Sequence, residues 1–276
     1  MEIGIFAKTF DGTLPDILRK VESLGLKRIQ FNFSIAGIPS MPDDVPSQIR
    51  TGVELGLQER QLTVEAVSGT FNMIHPDPSV RRSGLKRLAV IAAQCEWLNT
   101  SLITLCTGSR NVENMWTAHP DNTSRSAWYD LRESLDIALM HAEEYDLLLG
   151  IEPELSNVIS SATKAAKLLN EVNSPRLKII YDPANLIERE TIPVMSREIA
   201  YGVQLLGPYI ISVHAKDRDG LGEFVPAGKG ILPYEHLLEQ LNQVNYQGNL
   251  ILHGLKPAET ADSIAFLREQ LNIAGQ

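Results

Sequence analysis

Short runs of branched and aromatic residues alternate along the chain with longer stretches whose apolar positions recur every three or four residues. The short runs predict β-strands at residues 3–7, 28–33, 62–68, 102–107, 147–152, 177–182, 210–215 and 249–254. The longer stretches, such as DILRKVESLGL, SGLKRLAVIAAQCEWL, DLRESLDIALMHAEEY, SATKAAKLLNEV and YEHLLEQLNQV, predict amphipathic helices between them. Pro15 and Pro233 stand where two helices should start, and Gly25 where the first should stop.

Strand and helix follow one another eight times without a Gly/Ser-rich or charged linker, which predicts a parallel α/β fold. Eight such units in 276 residues match one closed (β/α)₈ barrel spanning residues 1–276 better than an open sheet. The first connection carries no GxGxxG, which argues against a dinucleotide-binding sheet. GKG at 228–230 is too short for a Walker loop and is weak evidence of phosphate binding. Residues 107–124 form one long irregular segment holding Arg110, Trp116 and His119, a length typical of lids and binding loops.

A net charge of -9 leaves no basic excess for neutralising phosphates, so nucleic acid is not the expected partner. Apolar and charged shares of 43% and 21% fit a soluble globular protein. Cys95 and Cys106 form no CxxC pair and are expected to be reduced and buried, which fits a cytoplasmic protein. MEIGIFAKTF lacks the basic start and long apolar stretch of a signal peptide. No apolar run approaches the ~20 residues needed to span a bilayer, so no membrane partner is expected.

In a barrel of this kind the active face lies at the carboxyl ends of the strands. The last four strands end in GIEPE, IIYDPAN, SVHAKD and ILHG, placing Glu152, Asp182, His214 and His253 at successive tips. One such residue alone is ordinarily a satisfied core or capping group. Four on adjacent strands can converge on one point of the rim. Two carboxylates and two imidazoles suit a divalent cation such as Mn²⁺, Zn²⁺, Co²⁺ or Fe²⁺ better than Ca²⁺, and Mg²⁺ is carried as a further candidate.

GIEPE, IYDPAN, SVHAKD and the following PAGKG, with GIFAKTF and SGTFNMIHPD earlier, resemble the xylose isomerase-like family of sugar and sugar-phosphate isomerases and epimerases. The resemblance implies a metal held by a Glu, an Asp, a His and a final Glu. Glu152, Asp182 and His214 match the first three positions, and His253 stands where the family has the last glutamate. The two family glutamates also act as a proton-transferring pair, so Glu152 and His253 are the catalytic candidates here. Asn185, Lys216, His75 and Arg110 are the substrate-binding candidates. In the related endonuclease IV-like branch, histidines bind further zinc ions. Cys106, Thr107 and Asn185 stand at the corresponding points here, which argues against a trinuclear cluster.

The sequence therefore predicts a metal-dependent isomerase or epimerase acting on a small polyhydroxy carbonyl compound through an enediolate. The alternatives are a metal-dependent lyase, dehydratase or hydrolase on the same scaffold, or a non-catalytic barrel that has lost the second glutamate. Barrels of this kind often pair through their loops, which makes Trp116 a candidate contact in a homo-oligomer or a lid residue.

Overall fold

A computed structural model of the chain describes residues 1–274. Eight parallel strands close into a barrel: β1 (Ile3–Phe6), β2 (Arg28–Phe31), β3 (Thr63–Ser68), β4 (Leu102–Cys106), β5 (Leu148–Glu152), β6 (Leu177–Tyr181), β7 (Ile210–Ala215) and β10 (Leu250–Leu252). The circle closes where β1 pairs with β10, Ile3 opposite Leu250 and Ile5 opposite Leu252. A small antiparallel pair, β8 (Asp217–Arg218) and β9 (Phe224–Val225), stands on the rim after β7.

The main outer helices are α1 (Leu14–Ser23), α2 (Ser47–Arg60), α3 (Pro78–Ala92), α4 (Arg125–Glu144), α5 (Ala162–Val172), α7 (Ile192–Leu206), α8 (Tyr234–Gln243) and α9 (Thr260–Ala274). A single turn, α6 (Pro183–Leu186), follows β6 directly. Helix α1 carries Pro15 in its first turn, and Gly25 follows its end at φ +68°. Pro233 stands immediately before α8.

Two apolar layers hold the fold. The larger lies between strands and helices, where Ile29, Ile103 and Ile151 meet buried helix residues such as Leu88, Leu135 and Leu238. Each buried side chain of this size stabilises by roughly 1.5–3 kcal/mol. A smaller cluster of Ala66, Leu102 and Ile180 is separate from it. Gly150 is needed beside that cluster, because a Cβ there would lie 2.5 Å from Ile180 Cδ1. At the amino-terminal end Glu65 of β3 accepts bonds from Asn249, next to β10, and pairs with Arg28 at 3.2 Å.

The long segment after β4 is pinned by three asparagines. Gly108 N–H donates to Asn157 Oδ1 at 2.6 Å, Ser109 N–H to Asn72 Oδ1 at 3.2 Å, and Arg110 N–H to Asn122 Oδ1 at 2.7 Å. Its base is thereby fixed, while Trp116 at its tip is half exposed. Both cysteines are buried and unpaired.

The GKG turn has another purpose than phosphate binding. Asp217 accepts bonds from the backbone N–H groups of Arg218, Gly228, Gly230 and Leu232, at 2.8–3.2 Å. A Cβ on Gly230 would fall 2.3 Å from Asp217 Oδ1. The buried carboxylate already occupies the amides that a phosphate would need.

Candidate metal and substrate site

Glu152 closes β5, and Asp182 follows β6 as the N-cap of α6, receiving the Ala184 N–H at 2.9 Å. His214 lies one residue before the end of β7, and His253 one residue beyond β10. Parallel register brings the first three tips together: one ligand atom each from Glu152, Asp182 and His214 lie within 4.8 Å of one another.

Polar contacts fix each of these side chains. His214 Nδ1 is 3.1 Å from Glu152 Oε1, and its Nε2 is 2.8 Å from Gln30 Oε1 across the barrel. The Gln30 amide donates in turn to Thr104 Oγ1 at 3.3 Å, which sets its carbonyl toward the imidazole. With Nε2 as the donor to Gln30, Nδ1 faces the carboxylates, where it donates to Glu152 when protonated and offers its lone pair to a cation when not. Neither Gln30 nor Thr104 was singled out from the sequence.

Asn185 donates to Glu152 Oε1 at 2.6 Å and accepts from Lys216 Nζ at 2.6 Å. Lys216 is buried and pairs with Asp182 Oδ2 at 3.2 Å. It is not the exposed partner of Asp217 or Asp219 that the KDRD run also allows. Asp182 is fully buried, and its Oδ2 lacks a directed hydrogen bond.

The electrostatics follow from this crowding. Burial alone would raise the Glu152 pKa, but the His214 charge and hydrogen bond, with His253 and Lys216, outweigh it and hold the carboxyl down at about 2. For Asp182 burial wins over the attraction of Lys216, and the neighbouring Glu152 adds to it, so its pKa rises. Burial, then His214 and Lys216, pushes His253 down to about 3, which keeps its ring neutral.

Two carboxylates and an imidazole, with one ligand atom each within 4.8 Å of the others, fit a divalent cation. His253 stands apart from this set. Its ring lies parallel to that of His214, centroids 5.0 Å apart and planes 6° from parallel, with Phe6 stacked on it at 5.3 Å. Its buried Nδ1 has no hydrogen-bond partner and is not among the donor atoms that lie within 4.8 Å of one another.

Above these groups opens a cavity of about 420 Å³. Glu152, Asn185, Lys216 and His253 line it, with Glu154, Lys8 and the aromatic rings of Phe6, Trp116 and Phe224. Glu154 is pushed up by burial against the opposing hydrogen bond from Ser156. His75 and Arg110 are not among its lining residues. His75 accepts the Asp77 N–H at the entry to α3, and its carbonyl takes a bond from Arg81. Arg110 is buried against Asp130 of α4 at 2.7 Å and donates to the Ile74 carbonyl.

The profile of the xylose isomerase-like TIM barrel matches residues 18–270, almost the whole barrel. The chain belongs to this family. Among curated relatives, an uncharacterised protein of Methanocaldococcus jannaschii is 23% identical over 169 residues, 60% of this chain and 55% of that one. An L-ribulose-5-phosphate 3-epimerase of Shigella flexneri is 23% identical over 202 residues, 72% of this chain and 66% of that one. The match thus spans between half and two thirds of the length of these relatives. Among solved structures, the 3-keto-D-glucoside 4-epimerase YcjR of E. coli superposes with a TM-score of 0.77 at 20% identity, over 98% of this chain and 99% of that one. No described helix is long and apolar enough to cross a membrane.

Proposed function

We propose that the protein is a divalent-metal-dependent isomerase or epimerase of a small sugar or other polyhydroxy carbonyl compound. The observation that carries this reading is the Glu152–Asp182–His214 donor group beneath a cavity wide enough for a sugar. The named epimerases among its relatives act on sugars, which supports the same substrate class.

In this reading Glu152, Asp182 and His214 hold the cation. When bound, such a cation supplies Lewis-acid stabilisation for charge developing on a carbonyl and its adjacent hydroxyl oxygen. Glu152 is ionised across the neutral range and is the candidate acceptor for the proton next to the carbonyl. His253 is neutral, lines the same cavity and is the candidate second proton-transferring group. Asn185 and Lys216, locked to each other and to the two carboxylates, are placed to receive substrate hydroxyl or carbonyl oxygens. Trp116, Phe6 and Phe224 offer flat apolar faces for the carbon skeleton.

The test is proton exchange. Protein reconstituted with Mn²⁺ or Co²⁺ is incubated in D₂O with a panel of ketoses and aldoses, and NMR follows the α-carbon. Deuterium entering that position, with formation of an epimer or isomer and no loss of water, is the expected result. Exchange accompanied by dehydration or cleavage would move the reaction to a lyase. Absence of exchange with every sugar, in protein that binds both metal and sugar, would leave a non-catalytic barrel.

A further inference from the structure

Arg218, two positions beyond Lys216, is buried with 7% of its surface exposed. Among the described residues its guanidinium is bonded to carbonyls rather than to a carboxylate. Nε donates to Ala184 at 2.7 Å and Nη1 to Gly222 at 2.5 Å. The guanidinium carbon also lies 3.7 Å from the ring centre of Phe224. A buried cation without a counter-ion is costly, so these two carbonyls and the ring face are what keep the side chain folded inward. Its main chain is fixed as well, the N–H donating to Asp217 and the carbonyl accepting from Ile231, both at 2.8 Å.

The three partners belong to two separate parts of the site. Ala184 is in α6, where its own N–H caps Asp182 at 2.9 Å and its neighbour Asn185 bonds Glu152 and Lys216. Gly222 forms the turn of the β8–β9 hairpin at φ +89°, and a Cβ there would lie 3.3 Å from the Glu188 carbonyl, just past α6. Phe224 is the hairpin residue that lines the cavity, with Lys216 Nζ 4.0 Å from its ring centre. Strands β8 and β9 pair over two residues each, too short a ladder to hold a hairpin by itself. Arg218 does not line the cavity, so any effect on a ligand passes through the residues it fastens.

We infer that Arg218 is a positioning residue: by fastening the β8–β9 hairpin to α6 it holds Phe224 over Lys216 as a wall of the substrate cavity. Water is thereby kept from one side of the ammonium, which strengthens its bonds to Asn185 and Asp182. The inference rests on the isomerase reading only in taking this cavity as the reaction site.

Lys216 reports on the placement of Phe224 without a substrate. Wild type and variants are treated with succinimidyl acetate, and mass spectrometry compares acetylation of Lys216 with that of Lys167, whose side chain is 57% exposed. Arg218→Met and Phe224→Ala are each expected to raise Lys216 labelling about tenfold relative to Lys167, and the double variant no further. Phe224→Tyr, which keeps the ring, should label like the wild type. Unchanged labelling in Arg218→Met, or two effects that multiply in the double variant, would overturn the inference. A rise that extends to the buried Cys95, read with iodoacetamide, would mark a general loosening of the barrel and overturn it too. In Mn²⁺-loaded protein, any sugar of the D₂O panel that the wild type exchanges should show KM raised about tenfold in Arg218→Met with kcat within about threefold. A fall in kcat at unchanged KM would remove Phe224 placement as the cause. The two readings fail separately. Labelling as expected in protein that exchanges no sugar removes the isomerase reading and keeps the role of Arg218. Exchange in wild type, with Lys216 labelling unchanged in Arg218→Met, does the reverse.

Discussion

The His253 ring lies flat against His214, 5.0 Å between centroids, with Phe6 on its other face. Where the family resemblance expects a fourth ligand, this chain has a ring in the middle of a three-layer stack. The donor group then contains two carboxylates and one imidazole. Removing the nitrogens while keeping the stack separates ligand from platform. His253→Phe is expected to change the Mn²⁺ dissociation constant by less than about tenfold, read by competition with a chelating dye. His253→Glu, which adds a carboxylate to the site, is expected to tighten it. A loss of about a hundredfold or more in the Phe variant would make His253 a ligand after all.

Gln30 acts one contact further out. Its carbonyl holds His214 Nε2 at 2.8 Å and so decides which imidazole nitrogen faces Glu152 and Asp182. Gln30→Ala is expected to weaken metal binding about 10–100-fold. Gln30→Glu, which keeps the acceptor, should recover most of the loss. The same dye competition measures both, and a uniform drop in folding stability in the two variants would point to a packing role instead.

The sequence made some of this arrangement readable and concealed the rest, for reasons that differ by residue. Glu152, Asp182 and His214 were legible because each ends a hydrophobic run, and strand tips of a parallel barrel must face one rim. Gln30 was not: an amide within RIQF looks ordinary, and its partner lies 184 positions away on the far side of the barrel. Asp217 reads as a surface charge beside lysine and arginine, although its partners are backbone amides of a turn that the chain reaches only later. Arg110 and His75 sit in loops, whose side-chain directions are set by packing against α3 and α4 rather than by any periodicity. Trp116 on the long segment does reach the cavity, because three asparagines anchor the base of that segment.

Lys216 balances Asp182 inside the barrel mouth at 3.2 Å. Taking it away leaves a fully buried carboxylate without a counter-charge, so Lys216→Met is expected to destabilise metal-free protein by about 3–5 kcal/mol. A divalent ion held by the same carboxylate replaces the missing charge. Urea unfolding with and without saturating Mn²⁺ should therefore show a larger stabilisation by metal in the variant than in the wild type. Equal stabilisation in both would separate Asp182 from the metal.

Asp217 tests the scaffold rather than the chemistry. Replacing it by Ala strips the partner from the Arg218 N–H and from three backbone N–H groups, of Gly228, Gly230 and Leu232, in the turn 226–232. A buried unpaired donor costs about 1–3 kcal/mol, and part of this is relieved as the turn opens to water. Asp217→Ala should therefore be cleaved preferentially between residues 219 and 232 in limited proteolysis. Cleavage there at the wild-type rate would show that the turn is held by other contacts.

The buried imidazole also predicts how metal-free protein responds to acid. Burial and the neighbouring His214 and Lys216 lower the His253 pKa from 6.5 to about 3. Below pH 6.5 the unfolded chain takes up a proton that the folded one refuses, so stability falls with pH until about 3. Glu152 behaves in the same direction but lower: its pKa drops from 4.5 to about 2, so its contribution is complete above pH 4.5 and is lost on further acidification. The interval from pH 6.5 to 5 thus isolates the histidine from the carboxylate. In chelator-treated protein, the fall in melting temperature should be shallower for His253→Phe than for the wild type across that interval and on down to about pH 3, while below pH 4.5 Glu152 adds a further fall to both. Parallel curves over the whole range would mean that the His253 ring takes up a proton in the folded state as readily as in the unfolded one.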